Sequence, residues 1–176
     1  MAKNMRLLAE IDRHPNVPHE GKTVCREAVR AIILRGRDLL MVHSSVIGDY
    51  KFPGGGVQED EEQLCALTRE VAEECGGRVT STLEPFGKVQ EYDYPIEKEF
   101  TTFCMTSYYY VCEIDPVLGV QQLDDYEARL GFLPEWVNID AAIENNLALL
   151  ASGKNTERWV ERETRVLEIV RDELIH

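Results

Sequence analysis

The stretch GGVQEDEEQLCALTREVAEECGG, Gly55 to Gly77, decides how this chain is read. It follows Tyr50-Lys51-Phe52-Pro53-Gly54, so Gly54, Gly55 and Gly56 stand in a row. Three consecutive glycines imply a sharp turn or a close backbone approach. From Glu61 to Cys75 the pattern is helical, because Leu64, Leu67, Val71 and Cys75 step by three and four and form one apolar face. Gly76-Gly77 supplies the stop. On a wheel of ~100° per residue, Glu70, Glu73 and Glu74 share a face that flanks the apolar one.

The stretch holds seven acidic residues against a single base, Arg69. Like charges three and four residues apart on a helix repel by roughly 0.2–0.5 kcal/mol per pair, so stability alone would favour lysines among them. A solvated helix face explains a charge run in general. A cluster of carboxylates held for a hard divalent cation explains this spacing better, since Mg²⁺ takes oxygen ligands and substrate phosphates.

Outward from this segment, Met5 to Ile11 reads as a short strand ended by His14-Pro15. Thr23 to Leu34 and Leu39 to His43 read as strands joined by the Arg35–Asp38 turn, which predicts a β-hairpin. After the helix, strands are expected over Arg78–Leu83, Lys88–Tyr92, Thr101–Ile114 and Gly131–Val137, with an acidic loop from Pro116 to Gly131. Asp140–Ala151 and Thr156–His176 read as helices. The order predicts an α+β chain, with helices packed around strands. It forms one domain over 1–176, with residues 1–22 as an N-terminal extension and 140–176 as C-terminal helices.

Composition narrows the function classes. The net charge is −13 with no basic stripe, which argues against nucleic acid as a partner. No apolar run approaches the ~20 residues of a membrane span, and nothing behind Met1 resembles a signal peptide. Five scattered cysteines without a CxxC pair point to reduced thiols and the cytoplasm.

Gly55, then Glu61 after five residues, then Arg69-Glu70-Val71-Ala72-Glu73-Glu74-Cys75-Gly76 after seven more, resembles the Nudix box. That motif is G-x5-E-x7-R-E-U-x-E-E-x-G-U, with U a bulky aliphatic residue. Eight of the nine defined positions match, and Gly77 stands where the last aliphatic residue is expected, a departure that bears on local packing. The resemblance implies a Nudix-type α/β/α sandwich around a mixed β-sheet. It also implies a hydrolase that cleaves a nucleoside diphosphate linked to another group, with Mg²⁺ or Mn²⁺. Carried over residue by residue, it makes Glu70, Glu73 and Glu74 metal ligands together with the Gly54 carbonyl, and Glu61 with Arg69 a supporting pair. Glu70 and Glu73 are the box candidates for the base, while Gly55 and Gly56 face the substrate. Members differ in the base, and an acidic residue of a later loop is the alternative: Glu97, Glu99, Asp124, Asp125 or Glu127, of which Glu127 is taken as a further metal ligand. Tyr94, 17 residues beyond Gly77, resembles a cue for dinucleoside polyphosphates, while Pro95 beside it competes as a cue for ADP-sugars. The implied partner is a small nucleotide-like diphosphate, and a homodimer is left open. Rival readings are a catalytically silent nucleotide sensor, an RNA-end pyrophosphohydrolase and an isoprenoid diphosphate isomerase.

Overall fold

Alternation within three strands builds the molecule. In the computed structural model, which describes residues 5–81, 83–153 and 157–175, β2 (Thr23–Ile32), β4 (Asp38–Ser44) and β7 (Thr102–Val111) supply side chains to both apolar clusters. Successive side chains of a strand point to opposite faces. Val29, Ala31, Leu40, Val42, Tyr108 and Tyr110 therefore enter one apolar cluster with Ala66, Leu67, Val71 and Cys75 of α1 (Gln63–Cys75). Ile32, Leu39, Met41 and Tyr109 enter a second with residues of α3 (Ile139–Ala151) and α4 (Trp159–Leu174). Burial on both faces is why Leu39–Val42 is an unbroken apolar run, with all four residues fully buried. Helices on both sides of the strands give the α/β/α sandwich.

The strands form two four-stranded sheets. In one the order is β1-β6-β7-β2, with β1 (Leu7–Asp12) parallel to β6 (Glu84–Asp93), β6 antiparallel to β7, and β7 parallel to β2. The N-terminal segment is thus part of a sheet. In the other, β4 pairs antiparallel with β8 (Phe132–Asn138) on one edge. Its other edge carries the short strands β3 (Leu34–Arg35) and β5 (Tyr50–Lys51).

Three of the expected elements change. The hairpin reduces to β3 with the start of β4, because β2 leaves to pair with β7 in the other sheet. Arg78–Leu83 is not a strand. Only Val79 bridges, to Ile114, and Thr80 donates to the Glu113 carbonyl, while Thr82 lies outside the described residues. The acidic loop contains a helix, α2 (Asp125–Leu130), started by an Asp124/Glu127 capping box and stopped by Gly131 at φ 63°. For the C-terminal helix, Thr156 and His176 also lie outside the described residues. No helix among the described residues is long and apolar enough to cross a membrane.

α1 itself follows its sequence, ending in Gly76 with φ 63° and amide bonds from Gly76 and Gly77 back to Ala72 and Val71. Its buried face is displaced from the expected one. Leu64 is 46% exposed, whereas Glu70 and Glu74 are buried beside Leu67 and Val71. Two carboxylates have entered the protein interior, where they need partners.

Candidate active site

Backbone contacts fix the loop between β5 and α1. The Pro53 and Gly55 carbonyls accept from Ala31 (2.8 Å) and Val29 (2.9 Å) of β2. Between them Gly54 adopts φ 143° and lies so close to β2 that an added Cβ would stand 2.0 Å from the Val29 carbonyl oxygen. Only glycine fits there. The Gly54 amide donates to Glu74 at 2.7 Å, and its carbonyl accepts from the Arg30 guanidinium. Gly54, Arg30 and Glu74 line one cavity of about 170 Å³.

Glu74 is 1% exposed, and Lys51 Nζ reaches its second oxygen at 2.5 Å. The same ammonium lies 4.6 Å from the centre of the Phe132 ring, so β5 and β8 jointly seat the counter-charge. Glu70, one turn earlier, packs against Gly55. An added Cβ would stand 2.5 Å from its carboxylate, so the glycine makes room for an acid rather than for a turn. Burial pushes the Glu70 carboxyl above the usual range, and the Arg69 guanidinium opposes this.

Glu127 brings the third carboxylate. One of its oxygens accepts the Asp124 amide at 3.0 Å in the capping box, which fixes the side chain at the start of α2. Burial raises its pKa too. Oxygens of Glu70, Glu74 and Glu127 all lie within 4.8 Å of one another. Carboxylates this close repel one another, and beyond the Lys51 and Arg69 pairs a shared cation would relieve that repulsion.

Arg69 ties the box together. It grips both oxygens of Glu61 at 2.9 Å, donates to Glu70 at 2.7 Å and Glu73 at 3.0 Å, and reaches the Gly56 carbonyl at 3.2 Å. These bonds hold the Glu61 carboxyl well below its ordinary value, at about 2. Glu73 is the outer member. Its side chain is 39% exposed, and it faces a polar trough shared with Glu70 and Glu127. Tyr94 lies elsewhere, with its hydroxyl on the Pro15 and Asn16 carbonyls and its ring stacked on His14.

Sequence reasoning missed a second set of residues around the same cavity. Arg30, Lys51, Trp159 and Arg162 line it, and the Trp159 indole donates to buried Asp49 at 2.6 Å. Glu163, fully buried, accepts the Phe52 amide at 2.9 Å and is paired with Arg162 at 2.7 Å. A signal existed: Glu163 falls in the stripe Val160, Glu163, Leu167, Val170, where every neighbour at that spacing is apolar and buried.

The NUDIX domain family model matches residues 25–160, spanning this loop, both cavity walls and the first residues of α4. The chain belongs to the NUDIX family. Membership makes it a Nudix pyrophosphohydrolase, acting on nucleoside diphosphate derivatives. Solved Nudix structures share the fold. A NUDIX hydrolase from Nitrosomonas europaea is 18% identical, with 74% of this chain and 91% of that one covered and a TM-score of 0.53. A MutT NUDIX hydrolase from Burkholderia pseudomallei is 19% identical, with 66% and 85% covered and a TM-score of 0.51. Among curated protein sequences there is no significant match. Where the Nudix box expects an aliphatic residue, Gly77 packs tightly. A Cβ there would lie 3.0 Å from Val71 Cγ1, so the neighbouring side chains already fill the space.

Proposed function

We propose that this Nudix protein hydrolyses the diphosphate bond of a small nucleotide-like substrate, with Glu70, Glu74, Glu127 and the Gly54 carbonyl holding Mg²⁺ or Mn²⁺. The observation that carries the proposal is the convergence of three partly or fully buried carboxylates, from two separate helices, within 4.8 Å. The donor set fits a hard cation, being all oxygen with several negative charges. A bound divalent ion would neutralise the substrate's charge and lower the pKa of a coordinated water.

The chain's own residues do the rest. Arg69 orients Glu61, Glu70 and Glu73 from one guanidinium. Arg30 lines the cavity wall, held there by its bond to the Gly54 carbonyl, and supplies positive charge for a phosphate oxygen. Water attacks one phosphorus, the bridging P–O bond breaks, and a carboxylate accepts the water proton. Glu70, whose carboxylate burial makes more basic, and Glu73, open to the trough, are the two candidates for that acceptor. Five free cysteines suit a reducing compartment such as the cytoplasm.

The test is a panel of nucleoside triphosphates, nucleotide-sugars and dinucleoside polyphosphates, assayed after chelation and again with Mg²⁺ or Mn²⁺ restored. Turnover of at least one class, lost on chelation and regained with metal, is expected. Undiminished turnover in excess chelator would overturn the metal assignment.

A further inference from the structure

β5 is only two residues long, and β4 covers one of its edges. Its other edge is met by two buried side chains from the C-terminal helices. Asn146 of α3 accepts the Tyr50 amide at 3.0 Å and donates to the Tyr50 carbonyl at 2.8 Å. Glu163 of α4 accepts the Phe52 amide at 2.9 Å. Backbone groups of residues two apart point to the same side of a strand. Asn146 and Glu163 therefore occupy the place of a missing neighbour strand and satisfy its hydrogen bonds.

The bond at Phe52 lies two residues before Gly54. Pro53 between them has a fixed φ and a carbonyl anchored to Ala31. Once the Phe52 amide is held, little freedom remains in the path to Gly54, whose amide is already committed to Glu74. Glu163 is itself locked by Arg162, which also bonds Glu91 at 2.7 Å. We infer that Glu163 is a positioning residue: through the Phe52 amide it sets where the Gly54 carbonyl and the Gly55 backbone stand relative to Glu70 and Glu74. This makes α4, which lies beyond the Nudix box, the outer wall of the metal-holding loop. The inference rests on the metal site proposed above.

Two variants separate the hydrogen-bond acceptor from the charge. Glu163→Asp keeps the charge but withdraws the carboxylate by one methylene from Phe52. Glu163→Gln removes the charge but leaves an acceptor at full reach. Readouts are the Phe52 amide exchange rate by NMR, Mn²⁺ binding by electron paramagnetic resonance, and kcat and KM separately. With Glu163→Asp, we expect faster Phe52 exchange, Mn²⁺ affinity weakened ~10-fold or more, and a fall in kcat larger than any change in KM. Glu163→Gln is expected to hold Mn²⁺ within about threefold of wild type, because it still holds the loop. Wild-type Phe52 exchange and Mn²⁺ affinity in a folded Glu163→Asp protein would overturn the inference, whether or not the Gln variant folds. A greater loss of affinity in folded Glu163→Gln than in Glu163→Asp would overturn it as well, by showing that the charge is what matters. Absence of Mn²⁺ binding by the wild type would instead refute the metal-site reading, and Phe52 exchange would still report on the clamp.

Discussion

Three adjacent glycines should respond to the same substitution in three different ways. At Gly55 an added methyl would sit 2.5 Å from all three heavy atoms of the Glu70 carboxylate, against 3.4 Å or more for an ordinary contact. The Gly55 φ lies outside the left-handed region, so the backbone accepts alanine and the carboxylate must move, by on the order of 1 Å. A misplacement of that size in a catalytic group costs roughly 100-fold in rate, or about 2.7 kcal/mol of barrier. Stability should change little. Loss of the Arg69–Glu70 hydrogen bond removes about 1.5 kcal/mol, and the stiffer unfolded chain returns about 0.4–1 kcal/mol. At ~2–4 °C per kcal/mol, the melting temperature should fall by only a few degrees. Gly54→Ala should instead cost roughly 3 kcal/mol or more, since its Cβ meets the Val29 carbonyl at 2.0 Å with φ at 143°. Gly56→Ala meets nothing within 4 Å and should change stability and rate negligibly. The assay pairs thermal melting with kcat measured across a Mg²⁺ titration. A folded Gly55→Ala protein with wild-type rate and metal dependence would refute the reasoning, because it would show that the seat of Glu70 is immaterial.

Glu74→Gln should lower both stability, by about 3 kcal/mol because buried Lys51 loses its charge partner, and turnover, by roughly 100-fold. Glu73→Gln, at the more exposed position, should leave melting unchanged, and its kcat loss should be smaller than that of Glu74→Gln. In Arg69→Met the Glu61 carboxyl, followed by NMR, should titrate well above the wild-type value of about 2, with the Gln58 amide still holding it somewhat low. The wild-type pKa is depressed, so the pair stabilises the fold above the unfolded-state pKa and loses this as pH falls towards about 2. The stability gap between wild type and variant should therefore narrow over that window, and a constant gap would count against the pair. With a thiol reagent, exposed Cys25 and Cys65 should react in the native protein, and buried Cys75, Cys104 and Cys112 only on unfolding, as read by mass spectrometry.

Much of the site was legible because it is local. Gly54 to Gly76 carries its own turn, helix and cap signals, and the Arg69 bonds to Glu61, Glu70 and Glu73 span at most eight residues. The capping pair Asp124 and Glu127 was equally local, yet α2 has only six residues and no apolar stripe to announce it. What stayed hidden depends on pairing between distant segments. Periodicity does not say that β2 would leave β4 for β7, nor that the buried face of α1 would take in Glu70 and Glu74 and leave Leu64 outside. Nor does it say that charges on α4 would face the glycine loop.

The Phe52–Glu163 bond spans 111 residues, and that span has a temporal meaning. At ~5–20 residues per second, synthesis of the intervening chain takes on the order of 5–20 s. During that interval the Nudix box exists as polypeptide while its outer wall does not. Contacts between distant segments also carry the largest loop-closure cost in folding. Assembly of the catalytic loop is thus tied to a late arrival, and a ribosome that stalls before α4 holds an acidic helix without the clamp that would set it to work.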